Sequence, residues 1–374
     1  MSKVSIVRCP DYTNTKKAIA EALDLVGGLE SLIRPEDNVL LKPNILAATA
    51  PEKGVTTHPS VVAALCEFVI QAGGKPVVGD GAGISRPGTT AKALKISGIE
   101  EAARKAGAGV VNFETAGFAL VDVPDPLQFR KLYIAKPVHE ADVVISLPKL
   151  KTHELTYYTG AVKNFFGVIP LKCRKEAHLL GKRELFGEAV ADIYSVVKPQ
   201  FAVMDGVIGM EGNGPSHGTP VNSGVILASP DCISLDIVAA ELIGFDPLKI
   251  PTTAGVLKKG FEKQCPVVVG TPLKEAKIKF KRSSGGVSTA PPFLTRNFGK
   301  YYNIYPQINQ RKCTRCGACY NSCSPGSIER LKDGGFRINR EKCILCYCCR
   351  ELCPNNAVDI KKSLLARVLG KKET

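Results

Sequence analysis

CTRCGACYNSCSPGSIERLKDGGFRINREKCILCYCCRELC, residues 313–353, is the cysteine-rich stretch from which the organisation of the whole chain follows. It contains two runs of the form C-x-x-C-x-x-C-x-x-x-C, and Pro354 follows the second run. Gaps of two residues place three thiolates on one tight loop, where they can bind three corners of an iron–sulfur cube. The fourth cysteine of each run lies further along the chain and points towards the other cube. The spacing therefore predicts two [4Fe–4S] clusters.

The predicted ligands form two sets that cross between the runs. Structural zinc sites are the alternative, but they use pairs of cysteines rather than doubled triplets. Cys348 is an additional cysteine, expected as a small buried residue beside a cluster, with a register swap against Cys349 as the alternative. The first cluster is assigned to Cys313, Cys316, Cys319 and Cys353, and the second to Cys343, Cys346, Cys349 and Cys323.

Residues 301–362 resemble the bacterial-type two-cluster ferredoxins. The resemblance rests on the doubled cysteine motif, and it implies a small α+β domain that transfers single electrons. The sequence departs from the family after Cys323, which is followed by Ser324 and Pro325 rather than directly by proline. This shift is not expected to disturb ligation.

Length and composition predict a soluble protein of about two domains. The chain has 374 residues, and a single core rarely grows beyond about 250–300 residues. The hydrophobic fraction is 44% and the charged fraction 23%, as in an ordinary globular protein. No apolar run reaches the length of a signal peptide core or the ~18 residues of a membrane span, so we predict no transmembrane segment. The 14 cysteines fit no disulfide framework, and oxygen-sensitive clusters need a reducing compartment, which predicts a cytoplasmic protein.

The net charge of +15 is concentrated near the cysteines. Residues 1–295 carry 34 basic and 29 acidic side chains, whereas residues 296–374 carry 16 and 6. A basic surface around the clusters would attract an acidic redox partner and speed their encounter. No nucleic-acid partner is predicted, because no groove-reading or aromatic-interleaved motif accompanies the charge.

Four segments are predicted along the chain. Residues 1–282 alternate short apolar runs with helical patterns, which predicts a layered α/β domain with a largely parallel sheet. Residues 283–300 form a Ser/Gly/Pro-rich linker, residues 301–362 the small α+β two-cluster domain, and residues 363–374 a basic tail. The sequence leaves the oligomeric state open, with a homo-oligomer as one option.

Polar clusters are expected where strands of the α/β domain end. Because the carboxyl ends of parallel strands share one edge of a sheet, these clusters should converge on one rim, where ligands bind. The last of them is expected to be a glycine-rich loop that opens after a strand ending at Asp205. The clusters are KPN at 42–44, TTHP at 56–59, GDG at 79–81, PKLKTH at 148–153 with TGAVKN at 159–164, and DGVIGMEGNGP at 205–215.

Residue chemistry suggests roles at this rim. Lysines supply cations for an anionic substrate or phosphate, and histidines carry protons or bind metals. Helix or turn capping is the alternative for Asp80 and Asp205, while His178 and His217, outside the clusters, are expected at the surface. The predicted catalytic residues are Lys163, His153, Lys151 and His58, and the predicted substrate-binding residues are Lys42, Asn44, Lys149, Asn164, Asp80, Asp205 and Glu211.

These rim motifs resemble the domain-of-unknown-function family 362 over about residues 35–245. Members of that family are often fused to a ferredoxin module, and the family has no established reaction. The resemblance therefore supports the fold and the domain arrangement more than a function.

A fainter resemblance links the rim to the nickel-pincer lactate racemases. In those enzymes a His–Lys pair with the spacing of His153 and Lys163 holds a nickel-bearing pyridinium cofactor, and an earlier Thr-His step is similar to residues 57–58. This chain departs from them at residues 161–162, which are Ala-Val where the racemases have a Gly-Gly-Arg run.

The combined features predict an iron–sulfur electron-transfer protein. We favour an oxidoreductase whose α/β domain binds a small anionic substrate or cofactor and exchanges electrons with it through two clusters. One alternative is a non-enzymatic ferredoxin-like carrier with a docking domain. The other is a metal-cofactor, nickel-pincer-like isomerase with accessory clusters, which would hold an additional organic or metal cofactor in the α/β domain. The glycine run at 79–83, GDGAG, lacks the full dinucleotide-binding spacing.

Overall fold

The computed structural model describes residues 2–83, 88–262, 265–283, 304–323, 325–344 and 346–362. The predicted basic tail at 363–374 lies outside the described residues, as does the predicted linker apart from Ser283. Within the described ranges, no helix is long and apolar enough to cross a membrane.

Strands and helices alternate through the first 283 residues. The strands are β1 (Lys3–Arg8), β2 (Asn38–Pro43), β3 (Lys75–Asp80), β4 (Gly109–Asn112), β5 (Phe118–Asp122), β6 (Lys131–Ala135), β7 (Val143–Leu147), β8 (Lys149–His153), β9 (Tyr157–Thr159), β10 (Phe201–Glu211), β11 (Thr219–Ser229) and β12 (Val267–Gly270). The helices are α1 (Thr15–Asp24), α2 (Pro59–Gln71), α3 (Thr89–Ile96), α4 (Ile99–Lys105), α5 (Lys136–His139), α6 (Ala161–Asn164), α7 (Leu171–Leu179), α8 (Arg183–Val197), α9 (Cys232–Leu242), α10 (Pro251–Lys258) and α11 (Leu273–Ala276).

One large mixed sheet forms the centre of this domain, in the order β12-β1-β11-β10-β7-β2-β3-β4, with β8 paired to β10 and β9 paired to β8. The run β10-β7-β2-β3-β4 is parallel throughout. β11 is antiparallel to both of its neighbours, and β9 is antiparallel to β8. The predicted largely parallel α/β sheet is thus confirmed, and β11 is inserted into it in the antiparallel direction.

Helices cover both faces of the sheet, because side chains alternate between its two sides. In β2, Val39 and Leu41 face the core that contains Leu65 of α2. Leu40, between them, faces the second core together with α8 and α9. These three side chains are all buried. The layered arrangement therefore follows from strands such as β2 and β7, whose consecutive apolar side chains are buried on both faces of the sheet.

Two polar stretches fold differently from the prediction. Lys149–His153, expected to be part of a rim cluster, forms the buried strand β8 of a hairpin with β9. β10 continues to Glu211 through most of the predicted glycine-rich loop, with a bulge between Gly206 and Ile208. Other groups approach this strand too closely for a larger residue at Gly209. A Cβ there would lie 2.7 Å from the ring of Phe280.

The C-terminal residues form a small α+β module. β13 (Ile304–Ile308) pairs with β16 (Val358–Lys362), and β14 (Ile328–Arg330) pairs with β15 (Phe336–Ile338), both antiparallel. Two short helices, α12 (Ala318–Ser322) and α13 (Cys348–Glu351), each begin one residue before the third cysteine of a run and contain it. The predicted ferredoxin-like domain is therefore present.

Candidate functional site

A cavity of about 70 Å³ lies beyond the carboxyl ends of β2, β3 and β8, and we call it the central pocket. Most of its lining comes from the α/β domain, and one residue, Leu352, comes from the C-terminal module. Polar groups outnumber apolar side chains around it. The lining consists of Lys42, Asn44, Ile45, Leu46, Asp80, Gly81, Gly83, His153, Lys163, Asn164, Phe166, Gly167, Arg174, His178 and Leu352.

A buried ion pair forms the floor of the central pocket. Nζ of Lys42, at the end of β2, lies 2.6 Å from Oδ1 of Asp80, at the end of β3, and the two side chains are 1% and 2% exposed. Asp80 also accepts the backbone N–H groups of Gly81 and Ile45, each at 2.7 Å. Burial lowers the pKa of Lys42, and the carboxylate opposes this shift. Burial raises the pKa of Asp80, while the charge of Lys42 and the donors on its oxygens oppose that shift and favour the anionic form.

Asn164 of α6 connects this pair to the neighbouring loop. Its Nδ2 donates to the carbonyl of Lys42 and to Oγ of Ser146, so its Oδ1 is left to accept from Nζ of Lys42 and from Nδ2 of Asn44. This pattern fixes the orientation of both amides. Oδ1 of Asn44 then has no hydrogen-bond partner among the described residues.

His153 enters the pocket lining from the end of β8. Its Nδ1 accepts the backbone N–H groups of Leu155 and Thr156, at 3.0 and 3.3 Å. Burial, followed by the charge of Lys163, holds the pKa of His153 well below its ordinary value. The ring is therefore neutral, and the acceptor role of Nδ1 assigns its proton to Nε2.

Lys163 and His178 meet in an aromatic corner of the pocket. Nζ of Lys163 lies 5.8 Å from the ring centroid of Phe166 and 6.0 Å from that of Phe186. The His178 ring packs against the same two rings, at 5.5 and 4.8 Å. Burial, together with the charge of Lys163, lowers the pKa of His178 to about 3. The prediction that His178 lies at the surface is wrong, since it is 5% exposed, and its Nδ1 has no hydrogen-bond partner in the described parts of the chain.

Arg174, four residues before His178 on α7, supports the wall beside Asp80. It is 3% exposed and donates to the carbonyl oxygens of Gly81, Ala82 and Gly83, as well as to that of Ile169. Sequence reasoning missed both α7 residues because LKCRKEAHL resembles a solvated polar segment. The four-residue spacing of Arg174 and His178 was the available signal, since it places them on one helix face.

Two glycines allow the Lys163 segment to pack against carboxylates. A Cβ at Gly160 would overlap the carboxylate of Asp236, which accepts the N–H groups of Ala161 and Val162 at the start of α6. A Cβ at Gly167 would overlap Oδ1 of Asp80. Both approaches are closer than any side chain permits, so these positions require glycine.

Five predicted site residues lie outside the central pocket, and three of them cluster together. Lys149 and Asp205 form a separate ion pair at 2.7 Å, and both side chains are fully buried. The hydroxyl of Tyr12 contacts both of them, and the His58 ring stacks on Tyr12 with centroids 3.5 Å apart. Burial lowers the pKa of His58. Lys149, Asp205 and His58 therefore belong to a second polar cluster.

Lys151 and Glu211 are likewise held elsewhere. Nζ of Lys151 donates to the carbonyl of Val55 at 2.6 Å. Glu211 accepts the backbone N–H of Lys281 and lies 3.2 Å from its Nζ. Among the predicted catalytic residues, His153 and Lys163 thus share the central pocket.

The cysteines surround two small cavities in the C-terminal module. The cavity lined by Cys313, Cys316, Cys319 and Cys353 is called the outer cavity, and the one lined by Cys343, Cys346, Cys349 and Cys323 the inner cavity. This is the grouping that the spacing predicts, and four thiols around each cavity suit a [4Fe–4S] cube. Cys348 also lines the inner cavity and is buried, with its thiol directed to the Cys346 carbonyl.

The module is attached to the α/β domain through α13. Arg350, between two predicted ligands, places its Nε 2.8 Å from Oε1 of Glu154, with side chains 8% and 1% exposed. Its carbonyl oxygen lies 3.0 Å from Nε2 of His217, a half-buried residue that was expected at the surface. Leu352, two residues later, completes the central pocket. The module is therefore part of the pocket wall.

Comparison with known proteins gives two family matches. The family described as Domain of unknown function (DUF362) matches residues 39–241, and a 4Fe-4S dicluster domain matches residues 305–354. A thylakoid-associated protein of Synechocystis sp. is 34% identical over 264 residues, which is 70% of this chain and 80% of that protein. Both resemblances drawn from the motifs are confirmed.

A solved structure is also similar. It is the lactate racemase apoprotein from Thermoanaerobacterium thermosaccharolyticum, with a TM-score of 0.44 and 15% identity over 65% of this chain. The chain spans 57% of that racemase.

Removing one member of the Lys42–Asp80 pair should be costly. Lys42→Met leaves a buried carboxylate without its cation, and we expect a loss of about 3–5 kcal/mol in the free energy of unfolding. Lys42→Met/Asp80→Asn should regain much of this loss, because the neutral amide needs no counter-charge. The measurement is urea unfolding, with Lys75→Met, from the exposed pair with Glu36, as a control expected to change stability by less than about 1 kcal/mol. Equal losses in the single and double variants would contradict the interpretation.

The buried histidines should make the protein less stable in acid. The folded-state pKa of His178 lies below the unfolded value of about 6.5, so the unfolded chain binds more protons and stability falls as pH drops below about 6.5. Between about pH 7.5 and 5.5 this residue should account for a loss of about 1.4 kcal/mol. His178→Asn should remove that contribution, measured as the pH dependence of urea unfolding.

The quantity to compare is the difference in unfolding free energy between wild type and His178→Asn at each pH. Burial raises the pKa of Asp236 to about 7, and this makes the stability of both proteins change with pH in the opposite direction. When folding raises the pKa of a carboxyl group, the folded protein becomes less stable as the pH increases towards that pKa. His139→Asn, at an exposed position, serves as the control and should leave the pH profile unchanged. A His178→Asn profile parallel to that of wild type would show that His178 is not held neutral.

Proposed function

The chain belongs to the DUF362 family and carries a 4Fe-4S dicluster domain, and from this premise we propose that it is an iron–sulfur oxidoreductase. In this proposal the central pocket binds a small anionic substrate, and two [4Fe–4S] clusters exchange electrons with it. The observation that carries the proposal is the position of Leu352, which lines the pocket and directly precedes the predicted cluster ligand Cys353.

The charges of the lining favour an anion. Lys42, Lys163 and Arg174 are cationic, Asp80 is the carboxylate of the lining, and both histidines have lowered pKa values that keep them neutral. This excess of positive charge is held in a largely buried site, where it is poorly screened. An oxyanion would offset it and accept hydrogen bonds from the same groups.

The size of the central pocket limits the ligand. About 70 Å³ is roughly half the volume of an engineered cavity that admits benzene, ~150 Å³. The part of a ligand that enters therefore has only a few non-hydrogen atoms, such as a carboxylate group or an inorganic oxyanion.

We assign distinct roles to the side chains around a bound anion. The Lys163 ammonium, beside two aromatic faces, balances its charge. His153 offers the proton on Nε2, because Nδ1 already accepts two backbone N–H groups. Asn44 provides a carbonyl oxygen that can orient a hydroxyl or amine of the substrate. Leu352 excludes water on the side of the clusters.

The grouping of the thiols supports the clusters that the dicluster domain implies. Eight predicted ligands line them in sets of four, Cys313, Cys316, Cys319 and Cys353 around one and Cys343, Cys346, Cys349 and Cys323 around the other. When bound, such clusters supply one-electron transfer. Their requirement for reduced thiols supports a cytoplasmic location, and the basic module supports an acidic redox partner.

The isomerase alternative is less well supported. His153 and Lys163 share the central pocket, as the racemase-like spacing requires. The chain departs from the racemases at residues 161–162, however, where Ala-Val stands in place of their Gly-Gly-Arg run. The lining therefore lacks part of the set of residues that holds the nickel-bearing cofactor in those enzymes.

Iron analysis tests the cluster assignment. Anaerobically purified protein should contain about eight iron and eight sulfide per chain, the content of two cubes. Cys349→Ala should lower both values, because it removes a predicted ligand of the inner cavity, whereas Cys348→Ala should leave them unchanged. The reverse result would establish the register swap and refute the assignment of Cys349.

Thermal unfolding with added anions tests the pocket. Formate, acetate, nitrate, sulfate and phosphate form the panel, and an anion present at about 100 times its Kd should stabilise the protein by about 2.7 kcal/mol. Lys163→Met should abolish the anion response, because it removes a cation of the pocket lining. Lys172→Met, at an exposed position of α7, is the matched control and should respond like wild type. An undiminished response in Lys163→Met would refute the pocket as the anion site.

A further inference from the structure

The outer and inner cavities differ in their exposure to solvent. The lining of the outer cavity includes three exposed residues, Thr314, Cys316 and Asn355. The residues that line the inner cavity are all buried or half-buried, and Tyr347 and Cys348 are only 5% and 3% exposed. Clusters in these two cavities would therefore have different access to an external protein.

The inner cavity lies against the α/β domain. Ile344, in its lining, is close enough to Gly181 that a Cβ at that glycine would lie 3.8 Å from Cβ of Ile344. Arg350 follows the inner ligand Cys349 and is paired with Glu154 of the α/β domain. Leu352 of the central pocket lies three residues after Cys349 and directly before the outer ligand Cys353. The contacts of Ile344 and Arg350 thus place the inner cavity on the side of the module that packs against the α/β domain.

The exposed side of the outer cavity is basic. Arg311, Lys312 and Arg315 surround Cys313 and Cys316 in sequence, and all three cations are exposed. The side chains of Lys312 and Arg315 are 56% and 58% exposed, and their acidic neighbours lie at 3.9 and 3.6 Å. Such loose surface pairs neutralise little of the local field. A basic patch beside an exposed cluster ligand complements a negatively charged protein surface.

We infer that the two cluster sites serve different partners: an acidic one-electron carrier protein docks on Arg311, Lys312 and Arg315 at the outer site, and the inner site exchanges electrons with the substrate bound in the central pocket. This inference rests on the proposed function and adds a direction to it. Each electron would leave the reduced carrier and enter a cluster held by Cys313, Cys316, Cys319 and Cys353, and would pass from there to a cluster held by Cys343, Cys346, Cys349 and Cys323. The substrate bound in the central pocket would be the final acceptor. The transfers from carrier to cluster and from cluster to cluster change no bond and move no proton.

Stopped-flow reduction of the cluster-loaded full chain by reduced flavodoxin, a small acidic flavoprotein, tests the docking face. Lys312→Glu should lower the second-order rate at low ionic strength by about tenfold, within the range of electrostatic steering. The matched control is Lys342→Glu, because Lys342 is exposed and precedes the inner ligand Cys343 as Lys312 precedes Cys313. We expect that control to stay within about twofold of wild type, since local steering decays over a Debye length of about 10 Å at 0.1 M. Equal effects, or a larger effect of Lys342→Glu, would overturn the inference.

Electron paramagnetic resonance of the dithionite-reduced protein tests the inner face. Sulfate should shift the signal of one cluster, and that signal should be the one lost in Cys349→Ala and retained in Cys316→Ala. Lys163→Met should abolish the shift. A sulfate-induced shift confined to the signal that Cys316→Ala removes would overturn the assignment of the inner site.

The two proposals fail in different ways. If no anion of the panel stabilises the protein or shifts a signal, the central pocket is not an anion site and the proposed function fails. The flavodoxin rates of Lys312→Glu and Lys342→Glu still decide which cluster site receives the carrier. If anions bind but the carrier rates do not distinguish the two lysines, the pocket stands and the docking face is refuted.

Discussion

The buried contact between Lys42 and Asp80 is the interaction on which the geometry of the site depends. It joins the ends of two parallel strands, and through further hydrogen bonds it positions Ile45, Gly81 and Asn164. Desolvating two charges costs several kcal/mol, and a hydrophobic pair would often be as stable. Its value to the molecule therefore lies in placing a cation and a set of directed polar groups at one point of the rim.

A second level of organisation comes from the C-terminal module. Its attachment is polar and local, centred on Glu154 and Arg350, and it brings an apolar residue, Leu352, to the edge of a basic cavity. The central pocket and the two thiol-lined cavities are therefore neighbours through a continuous segment of chain. The two domains therefore share one pocket, because its lining is complete only when the module supplies Leu352.

Much of this architecture was predictable from the sequence. Apolar runs such as residues 143–147 are buried on both faces and can be recognised from composition alone, and the doubled cysteine spacing identifies its own fold. β8 was not recognised as a strand, because its lysines and histidine suggest solvent exposure. Those cations are buried only because specific acceptors, Asp205 and the Val55 carbonyl, lie on distant segments.

The candidate site was only partly predictable for a related reason. Strand-end residues such as Lys42 and Asp80 converge by the rule for parallel sheets. Arg174, His178 and Leu352 reach the same cavity from a helix and from another domain, and no local pattern reports such packing. Lys149 and Asp205 were also predicted at the rim, but they pair with each other and lie in a polar cluster separate from the central pocket.

The glycines that flank Lys163 set limits on how this site can be redesigned. Any side chain at Gly160 or Gly167 would occupy space already filled by a carboxylate oxygen. A combinatorial library aimed at new ligand selectivity should therefore hold both positions constant. Phe166 and Leu352 offer the adjustable volume, since they contribute apolar surface without carrying the hydrogen bonds that fix the lysine. Gly160 and Gly167 thus maintain the local fold, whereas Phe166 and Leu352 are the positions at which ligand selectivity can be changed.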